Sequence, residues 1–196
     1  FSLGAGDRVV GVSDYCDYPA EAKTRARVGT FLQPSVEKIL ALEPSLVLLD
    51  GVQQDVAAAL GHAGARVLAM PMNDLREVRA AITLVGEALG DRQPAAAQLL
   101  TTLDAELATV RQQVGSRPRK KVMFVVDRQL GGLRGLVVAG PGTYLDELLR
   151  LAGGENVFSD LKVRYAKVAI EAIQERQPAV ILDAVHAGAG TEQAVR

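Results

Sequence analysis

The sequence is poor in the side chains from which metal centres and covalent cross-links are built. Its 196 residues contain one cysteine, Cys16, and two histidines, His62 and His186. One cysteine excludes a disulfide within the chain, and so few soft ligands argue against a Cys/His transition-metal site. We therefore expect neither a resident metal nor a cofactor.

An excess of one charge and long apolar runs are missing as well. The 22 Lys and Arg residues balance 23 Asp and Glu residues, so no global field favours nucleic acid or an anionic membrane. The basic run RPRKK at 117–121 is typical of a solvated junction between a helix and a strand. No apolar stretch approaches the roughly 20 residues that span a bilayer. Nucleic acid is therefore not an expected partner.

Catalytic signatures are absent too. The glycine-rich segments GAGDRVVG and GPGT match neither the dinucleotide fingerprint nor the P-loop, and no serine stands in a G-x-S-x-G elbow. GPGTYLDELL at 140–149 instead predicts a turn and a helix with Thr143 as its N-cap. These segments therefore do not predict an enzyme.

What the chain does have is an alternation of strand-like and helix-like segments. The strand-like runs are rich in β-branched residues and do not alternate with polar ones, which is typical of buried parallel strands. They are RVVGVS (8–13), SLVLL (45–49), RVLAM (66–70), KVMFVV (121–126), GLVVA (135–139) and AVILD (179–183). Helical patterns that end at glycine or before proline separate them. The alternation predicts an α/β fold with parallel sheets.

One helix is longer than the others. Between Gln93 and Gly115 apolar residues recur every three to four positions, which predicts a helix of about six turns with one apolar stripe. The stripe comprises Leu99 or Leu100, Leu103, Leu107, Val110 and Val114. We predict an N-terminal α/β lobe at 1–91, an inter-lobe helix at 92–116 and a C-terminal α/β lobe at 117–196.

One unit of the sequence occurs in both predicted lobes. FLQPSVEKILALEPSLVLL at 31–49 is matched by YAKVAIEAIQERQPAVIL at 165–182. Each copy places an aromatic residue, Phe31 or Tyr165, six positions before a glutamate, Glu37 or Glu171. A carboxylate in the first turn of a helix is favourable by about 0.3–1 kcal/mol, so each glutamate has a structural role available. Two like lobes would also present two exposed carboxylates to a partner with two basic sites.

Aromatic residues are scarce, at 4% of the chain with no tryptophan. Tyr15, Phe31 and Tyr165 are predicted in loops that follow strands or precede helices, and not in strand cores. Loops beyond the carboxyl ends of strands form the ligand crevice of open α/β sheets. Packing against each lobe's own core is one role for these side chains, and stacking on a large flat ligand is the other. The equivalence of Phe31 and Tyr165 favours stacking.

Four segments of the chain together have the pattern of a known family: VVGVSDYCDYP, RVGTFLQPSVEKILALEPSLVLL, LLRLAGGENVF and VAIEAIQERQPAVIL. They resemble the substrate-binding proteins of bacterial ABC importers for cobalamin, haem and iron-siderophores, and the cobalamin binders of that group most. The resemblance implies two Rossmann-like lobes joined by one long rigid helix, and a periplasmic or lipid-anchored protein. It implies that Glu37 and Glu171 dock on the transmembrane permease. It also implies that Tyr15, Phe31 and Tyr165 line an inter-lobe cleft that holds a corrinoid, with Phe31 and Tyr165 standing where the cobalamin binder has tryptophan.

The resemblance further implies that the N-terminal lobe lacks its first strand and the C-terminal lobe its last elements, which favours self-association through open sheet edges. Other cargoes stay open. Arg128 and Arg134, which flank a glycine-rich loop after a strand, are predicted to bind polar edges of the ligand in the cleft. An anionic siderophore favours arginines there, for which Arg128, Arg134 and Arg164 are candidates. Haem favours an axial tyrosine such as Tyr15 or Tyr165. A role as a sensor or assembly module, without transport, is a further alternative.

Overall fold

The computed structural model describes residues 1–129, 132 and 134–184. This part of the chain is α/β, as predicted, with six α-helices and nine strands. The helices are α1 (Val36–Ala41), α2 (Gln54–His62), α3 (Leu75–Ala88), α4 (Gln93–Val114), α5 (Tyr144–Leu151) and α6 (Ile170–Arg176). The strands are β1 (Gly11–Val12), β2 (Ala26–Arg27), β3 (Val47–Asp50), β4 (Val67–Met70), β5 (Lys120–Asp127), β6 (Val137–Ala139), β7 (Gly154–Asn156), β8 (Tyr165–Lys167) and β9 (Val180–Asp183).

The chain divides into two compact units. The first comprises Phe1–Met72 and Arg76–Leu103, and the second comprises Asn73–Leu75 and the chain from Asp104 onward. The division falls within α4, the long helix that the apolar stripe predicts. Along its last four turns the predicted stripe residues are half-buried and the residues between them are exposed, because only one side of the helix is packed.

The first unit contains two parallel strand pairs, β1 with β2 and β3 with β4. Its core joins Val47 and Leu49 of β3 to Ile39 of α1 and Leu60 of α2. Leu48, which lies between the two buried strand residues, is 47% exposed. The prediction that this strand is buried on both faces is therefore wrong, since α1 and α2 pack on one face only.

The second unit is built on β5, which is parallel to β7 and β9. Met123 and Val125 of this strand pack with Leu136, Val138 and Phe158 in the core. β6 runs antiparallel to β5, and β8 runs antiparallel to β6. The predicted parallel pairing is present for β5 with β7 and β9, whereas the pairings of β6 with β5 and β8 are antiparallel. The stretch 128–136 between β5 and β6 is shorter than the dozen or more residues that a parallel crossover needs, so the chain turns back.

The repeated unit adopts the same structure in both places. α1 and α6 begin at equivalent positions, and each is followed by a strand, β3 or β9. Each helix is followed by a residue with positive φ, Glu43 at 45° or Gln177 at 49°. Each of these residues precedes a proline, which disfavours continuation of a right-handed helix. The two prolines therefore set the ends of the two helices.

A buried polar network fixes the turn between β6 and α5. The Thr143 hydroxyl caps α5, as predicted: it accepts from the Asp146 N–H at 3.1 Å and donates to the Gly140 carbonyl at 3.0 Å. Asn156 donates to the Asp146 carboxylate at 2.9 Å and to the Ala139 carbonyl at 3.0 Å. Since these groups are buried and paired, the network holds the carboxyl end of β6 firmly.

Candidate functional site

Glu37 and Glu171 occupy equivalent positions in the two units. Each lies in the first turn of its helix, α1 or α6, and each is exposed. The side chain of Ser35 caps α1 by accepting from the Lys38 N–H at 3.2 Å, whereas α6 has no side-chain cap. Neither carboxylate forms a hydrogen bond or ion pair with another described residue. Both are therefore available to a partner, while each also lies at the positive end of a helix dipole.

Parallel pairing places Tyr15 and Phe31 on adjacent loops of the first unit. Gly11 and Val12 of β1 pair with Ala26 and Arg27 of β2, so the two strands end at the same edge. The loop after β1 carries Tyr15, and the segment after β2 carries Phe31. Their side chains are 62% and 47% exposed. The topology therefore leaves two largely exposed aromatic residues at one edge of the unit, where loops form the ligand crevice of open α/β sheets.

Hydrogen bonds join these two loops to each other. The Asp14 N–H donates to the Gly29 carbonyl at 2.9 Å, and the Gly29 N–H donates to the Asp14 carboxylate at 3.2 Å. A third segment joins them, because the Gln53 side-chain amide, just after β3, donates to the Phe31 carbonyl. Sequence reasoning missed Asp14 and Gln53. The signal available for Asp14 was its place directly after a strand and before an aromatic residue.

Further exposed apolar side chains follow the strands of this unit. Tyr18 follows β1, Leu32 follows β2, Val52 follows β3 and Met72 follows β4. Side chains of this size normally pack into a core, so their exposure after the carboxyl ends of the strands makes them candidates for ligand contact. We call Tyr15, Tyr18, Phe31, Leu32, Val52 and Met72 the aromatic edge of the first unit.

Tyr165 lies in a strand and not in a loop, contrary to the prediction. It is the first residue of β8, pairs with Ala139 at the end of β6, and is 42% exposed. The adjacent Arg164 tightens this pairing, because its carbonyl accepts from the Gly140 N–H at 2.7 Å and its Nε donates to the Gly142 carbonyl at 3.1 Å. The aromatic ring therefore stands beside the turn that the buried polar network fixes.

The two other predicted ligand-binding residues lie toward the opposite end of β6. Arg128 forms an ion pair with Asp183 at 2.8 Å. Arg134 lines a shallow groove of about 350 Å³ together with Gly135, Val168, Ala169 and Ile170. Its side chain has no hydrogen-bond or ion-pair partner among the described residues. The structure therefore separates Arg134 from Tyr165 along β6, and it places Arg128 in a pair that neutralises its charge.

An arginine clamp anchors α6, the helix that carries Glu171. The Arg176 guanidinium contacts both carboxylate oxygens of Asp160, at 2.6 and 2.9 Å, and donates to the Val157 carbonyl. It also lies over the Phe158 ring, 4.8 Å from the centroid. The hydrogen bonds from Arg176 lower the pKa of the Asp160 carboxyl, and the carboxylate raises the pKa of Arg176.

Metal chemistry and membrane insertion find no support in this part of the chain. Within residues 1–129, 132 and 134–184, no three His, Cys, Asp or Glu side chains are grouped as a metal site. None of the helices described is both long and apolar enough to cross a bilayer. His186 lies outside the described residues.

Comparison with known protein families shows which family this chain belongs to. The family of periplasmic binding proteins matches residues 1–194. This chain belongs to that family. Among curated relatives, the vitamin B12-binding protein of Salmonella typhimurium is 32% identical over 190 residues, which is 95% of this chain and 69% of that protein. An uncharacterised ABC transporter substrate-binding lipoprotein of Bacillus subtilis is 30% identical over 191 residues, 93% of this chain and 58% of the relative.

Solved structures agree with the family assignment. The periplasmic vitamin B12 binding protein BtuF of Vibrio cholerae is 26% identical with a TM-score of 0.77, covering 93% of this chain and 70% of that one. The periplasmic haem-binding protein RhuT of Roseiflexus reaches a TM-score of 0.81 at 28% identity with the same coverage. This periplasmic binding protein therefore has the fold of both cobalamin and haem binders.

Proposed function

We propose that this periplasmic binding protein captures a corrinoid outside the cytoplasmic membrane and delivers it to the permease of an ABC importer. The observation that carries the proposal is the aromatic edge of the first unit, above all the exposed rings of Tyr15 and Phe31 on two joined loops. Tyr165 adds an exposed ring from the second unit. The vitamin B12-binding relatives support this choice of cargo.

A flat, largely apolar ligand suits these side chains. Aromatic stacking contributes about 0.5–1.5 kcal/mol per contact beyond the burial of area. The exposed Leu32, Val52 and Met72 extend the apolar surface around the rings. A corrin macrocycle offers a broad face to such a surface.

The arginines argue against a strongly anionic siderophore. Arg128 is paired with Asp183, and Arg164 donates to the Gly142 carbonyl. An anionic chelate would have to displace these partners before it gained charge-assisted hydrogen bonds. Arg134 alone among the three predicted arginines has no partner among the described residues. One unpaired cation is a poor match for a cargo with several carboxylates.

Haem is the second candidate. The likeness to RhuT and the exposure of two tyrosines, Tyr15 and Tyr165, favour it. A tyrosine phenolate is an established axial ligand of haem iron. Haem and corrinoid make different demands on the same side chains, because haem requires a phenol oxygen and a corrin requires the face of a ring.

Delivery requires a surface that the permease recognises. Glu37 and Glu171 supply one exposed, unpaired carboxylate from each unit, in equivalent first turns. Two positively charged sites on the permease would complete the contact.

Calorimetric titration with cyanocobalamin, cobinamide and haemin tests the cargo. We expect one-to-one corrinoid binding that Tyr15→Ala and Phe31→Ala each weaken, by about two- to tenfold, since each removes one stacking contact. Leu84→Ala is the matched control, because it removes an exposed apolar side chain of α3, away from the aromatic edge. Tyr15→Phe separates the two candidates: it should preserve corrinoid binding and abolish axial ligation of haem by this tyrosine. Corrinoid affinity that is equal in all variants would contradict the proposal.

A further inference from the structure

The side chain of Arg27 holds the loop that carries Tyr15. Arg27 is the last residue of β2 and pairs with Val12 of β1. Its Nη1 donates to two carbonyls of that loop, to Ser13 at 2.8 Å and to Cys16 at 3.0 Å. Its Nη2 approaches the Asp17 carboxylate at 3.4 Å. One guanidinium therefore contacts the loop on both sides of Tyr15.

Tyr15 is largely exposed, so the order of its loop affects its readiness to bind a ligand. With 62% of the residue exposed, packing covers only the smaller part of its surface. If a ligand must order a loop when it binds, the affinity is lower, because immobilising the side chains costs conformational entropy. The hydrogen bonds from Arg27 order the backbone on either side of Tyr15 before any ligand arrives.

The fork geometry of arginine matters for this contact. One planar guanidinium bridges two carbonyls and a carboxylate, whereas a lysine ammonium is a point charge on a flexible stem. The side chain of Arg27 is 31% exposed, so its hydrogen bonds are partly shielded from competing water. The contact with Asp17 is longer than the two carbonyl contacts, and the Asp17 side chain is 68% exposed. The carbonyls are therefore the main anchors, and the ion pair adds little.

We propose that Arg27 is a positioning residue for ligand recognition, which fixes Tyr15 in its binding orientation and does not itself contact the ligand. The inference rests on the proposed function, because it assumes that Tyr15 contacts the cargo. The guanidinium of Arg27 already donates hydrogen bonds to carbonyls of the protein itself. Arg27 is therefore not a counter-ion for an anionic ligand.

A double-mutant cycle tests the proposal. Arg27→Ala should weaken cyanocobalamin binding by about two- to tenfold and no more than Tyr15→Ala does, since the only ligand contact that it disturbs is that of Tyr15. Arg27→Lys should recover only part of the affinity. In a Tyr15→Ala background the Arg27→Ala change should have no further effect, because Arg27 acts through Tyr15. Additive effects, or wild-type affinity in Arg27→Ala, would overturn the proposal.

Hydrogen exchange of the free protein gives a readout that needs no ligand. The amides of residues 13–17 should exchange faster in Arg27→Ala and Arg27→Lys than in the wild type. Arg25→Ala is the matched control: Arg25 also donates to a backbone carbonyl, that of Gly6 at 2.9 Å, but not to the Tyr15 loop. Asp17→Asn should leave both the exchange and the affinity close to wild type.

The two measurements separate this inference from the proposed function. If the wild type binds none of the three ligands while Arg27→Ala still speeds exchange at 13–17, the loop support stands and the proposed cargo is wrong. If hydrogen exchange of the amides at 13–17 is the same in Arg27→Ala as in the wild type, Arg27 does not order the Tyr15 loop, whichever ligand the protein binds. If haemin binds in place of cyanocobalamin, the same cycle is measured with haemin and the same non-additivity is expected.

Discussion

At the scale of single residues, one glycine shapes the aromatic edge. Gly29 has φ of 103°, in a region that side chains with a Cβ rarely adopt. A Cβ at this position would lie 2.6 Å from the Gln33 carbonyl oxygen and 3.0 Å from the Ser35 nitrogen. Both contacts are with backbone atoms of the segment that holds Phe31, and the same glycine forms two hydrogen bonds with Asp14. Glycine is therefore required at position 29 for two reasons: the backbone has a positive φ, and the neighbouring backbone atoms leave no room for a Cβ.

Gly29→Ala should destabilise the protein by about 1–3 kcal/mol, since it combines backbone strain with a steric clash. Urea denaturation followed by circular dichroism measures the change. Gly61→Ala is the control: Gly61 lies in α2, and a Cβ there meets nothing within 4 Å. That substitution should be neutral or stabilise the protein by up to about 1 kcal/mol, because alanine favours the helix. Equal effects at the two positions would show that the clash at Gly29 is relieved by movement.

At the scale of elements, α6 depends on a polar anchor. The helix has no fully buried residue and no side-chain N-cap. Ile173 packs against the core of the second unit, and Arg176 bonds to the segment between β7 and β8. The equivalent of Arg176 in the first unit is Leu42, the C-cap residue of α1. The side chain of Leu42 packs close to Gly11 of β1. The repeated unit thus keeps its backbone structure while an apolar contact in one copy is replaced by an ion pair in the other.

The clamp makes part of the stability pH-dependent. Hydrogen bonds from Arg176 lower the pKa of Asp160 below its ordinary value of 3.8, so the folded state prefers the carboxylate. The contribution is present above the unfolded pKa and is lost as the pH falls through the folded one. The free energy of unfolding of the wild type should exceed that of Asp160→Asn at about pH 6, and the difference should shrink below about pH 4.

Urea denaturation over this pH range measures the difference. Arg176→Gln should lose the same pH-dependent part of the free energy of unfolding. The double variant, Asp160→Asn with Arg176→Gln, should lose no more of this part than either single variant does. If the difference in the free energy of unfolding between wild type and Asp160→Asn does not change with pH, the pKa shift does not arise from the pair of Arg176 and Asp160.

At the scale of the whole molecule, the two units carry one exposed glutamate each, which we propose docks on the permease. Glu37 and Glu171 are chemically equivalent, exposed and without partners among the described residues. In the proposed function, delivery to a permease requires the glutamates of both units, whereas binding of the ligand depends on the aromatic residues. The two activities should therefore be separable by mutation.

Reversal of both charges, Glu37→Lys with Glu171→Lys, should abolish corrinoid uptake in cells and leave the calorimetric affinity unchanged. Each single reversal should reduce uptake less, because one contact with the permease remains. The control is Glu43→Lys with Glu175→Lys, which makes the same change of charge just after α1 and late in α6, away from their first turns. Two results would contradict the docking role of Glu37 and Glu171. One is wild-type uptake in the variant with both of these charges reversed, and the other is an equal loss of uptake in this variant and in the control.

Much of the fold follows from local patterns in the sequence. The apolar period between Gln93 and Gly115 predicts a long helix, which the structure forms as α4, because a helix with one packed side must place its apolar residues every three to four positions. The prolines at 44 and 178 predict the ends of α1 and α6, and Thr143 predicts the start of α5, since caps and breaks depend on neighbouring residues only. The repeat predicts that the two glutamates are equivalent, and the structure places both in first turns.

Tertiary structure decides what depends on partners distant in the chain. β-branched runs look alike whether a strand is parallel or antiparallel, so the direction of β6 follows from the short connection and from its pairing with β5 and β8. The same pairing places Tyr165 in a strand and separates it from Arg134. The ion pair of Arg128 with Asp183 and the contacts of Arg27 with two carbonyls join segments that no sequence period connects. The sequence by itself therefore determines the elements and the candidate aromatic and acidic residues, and only the folded chain determines which of them stand together, because pairing and side-chain contact arise from packing.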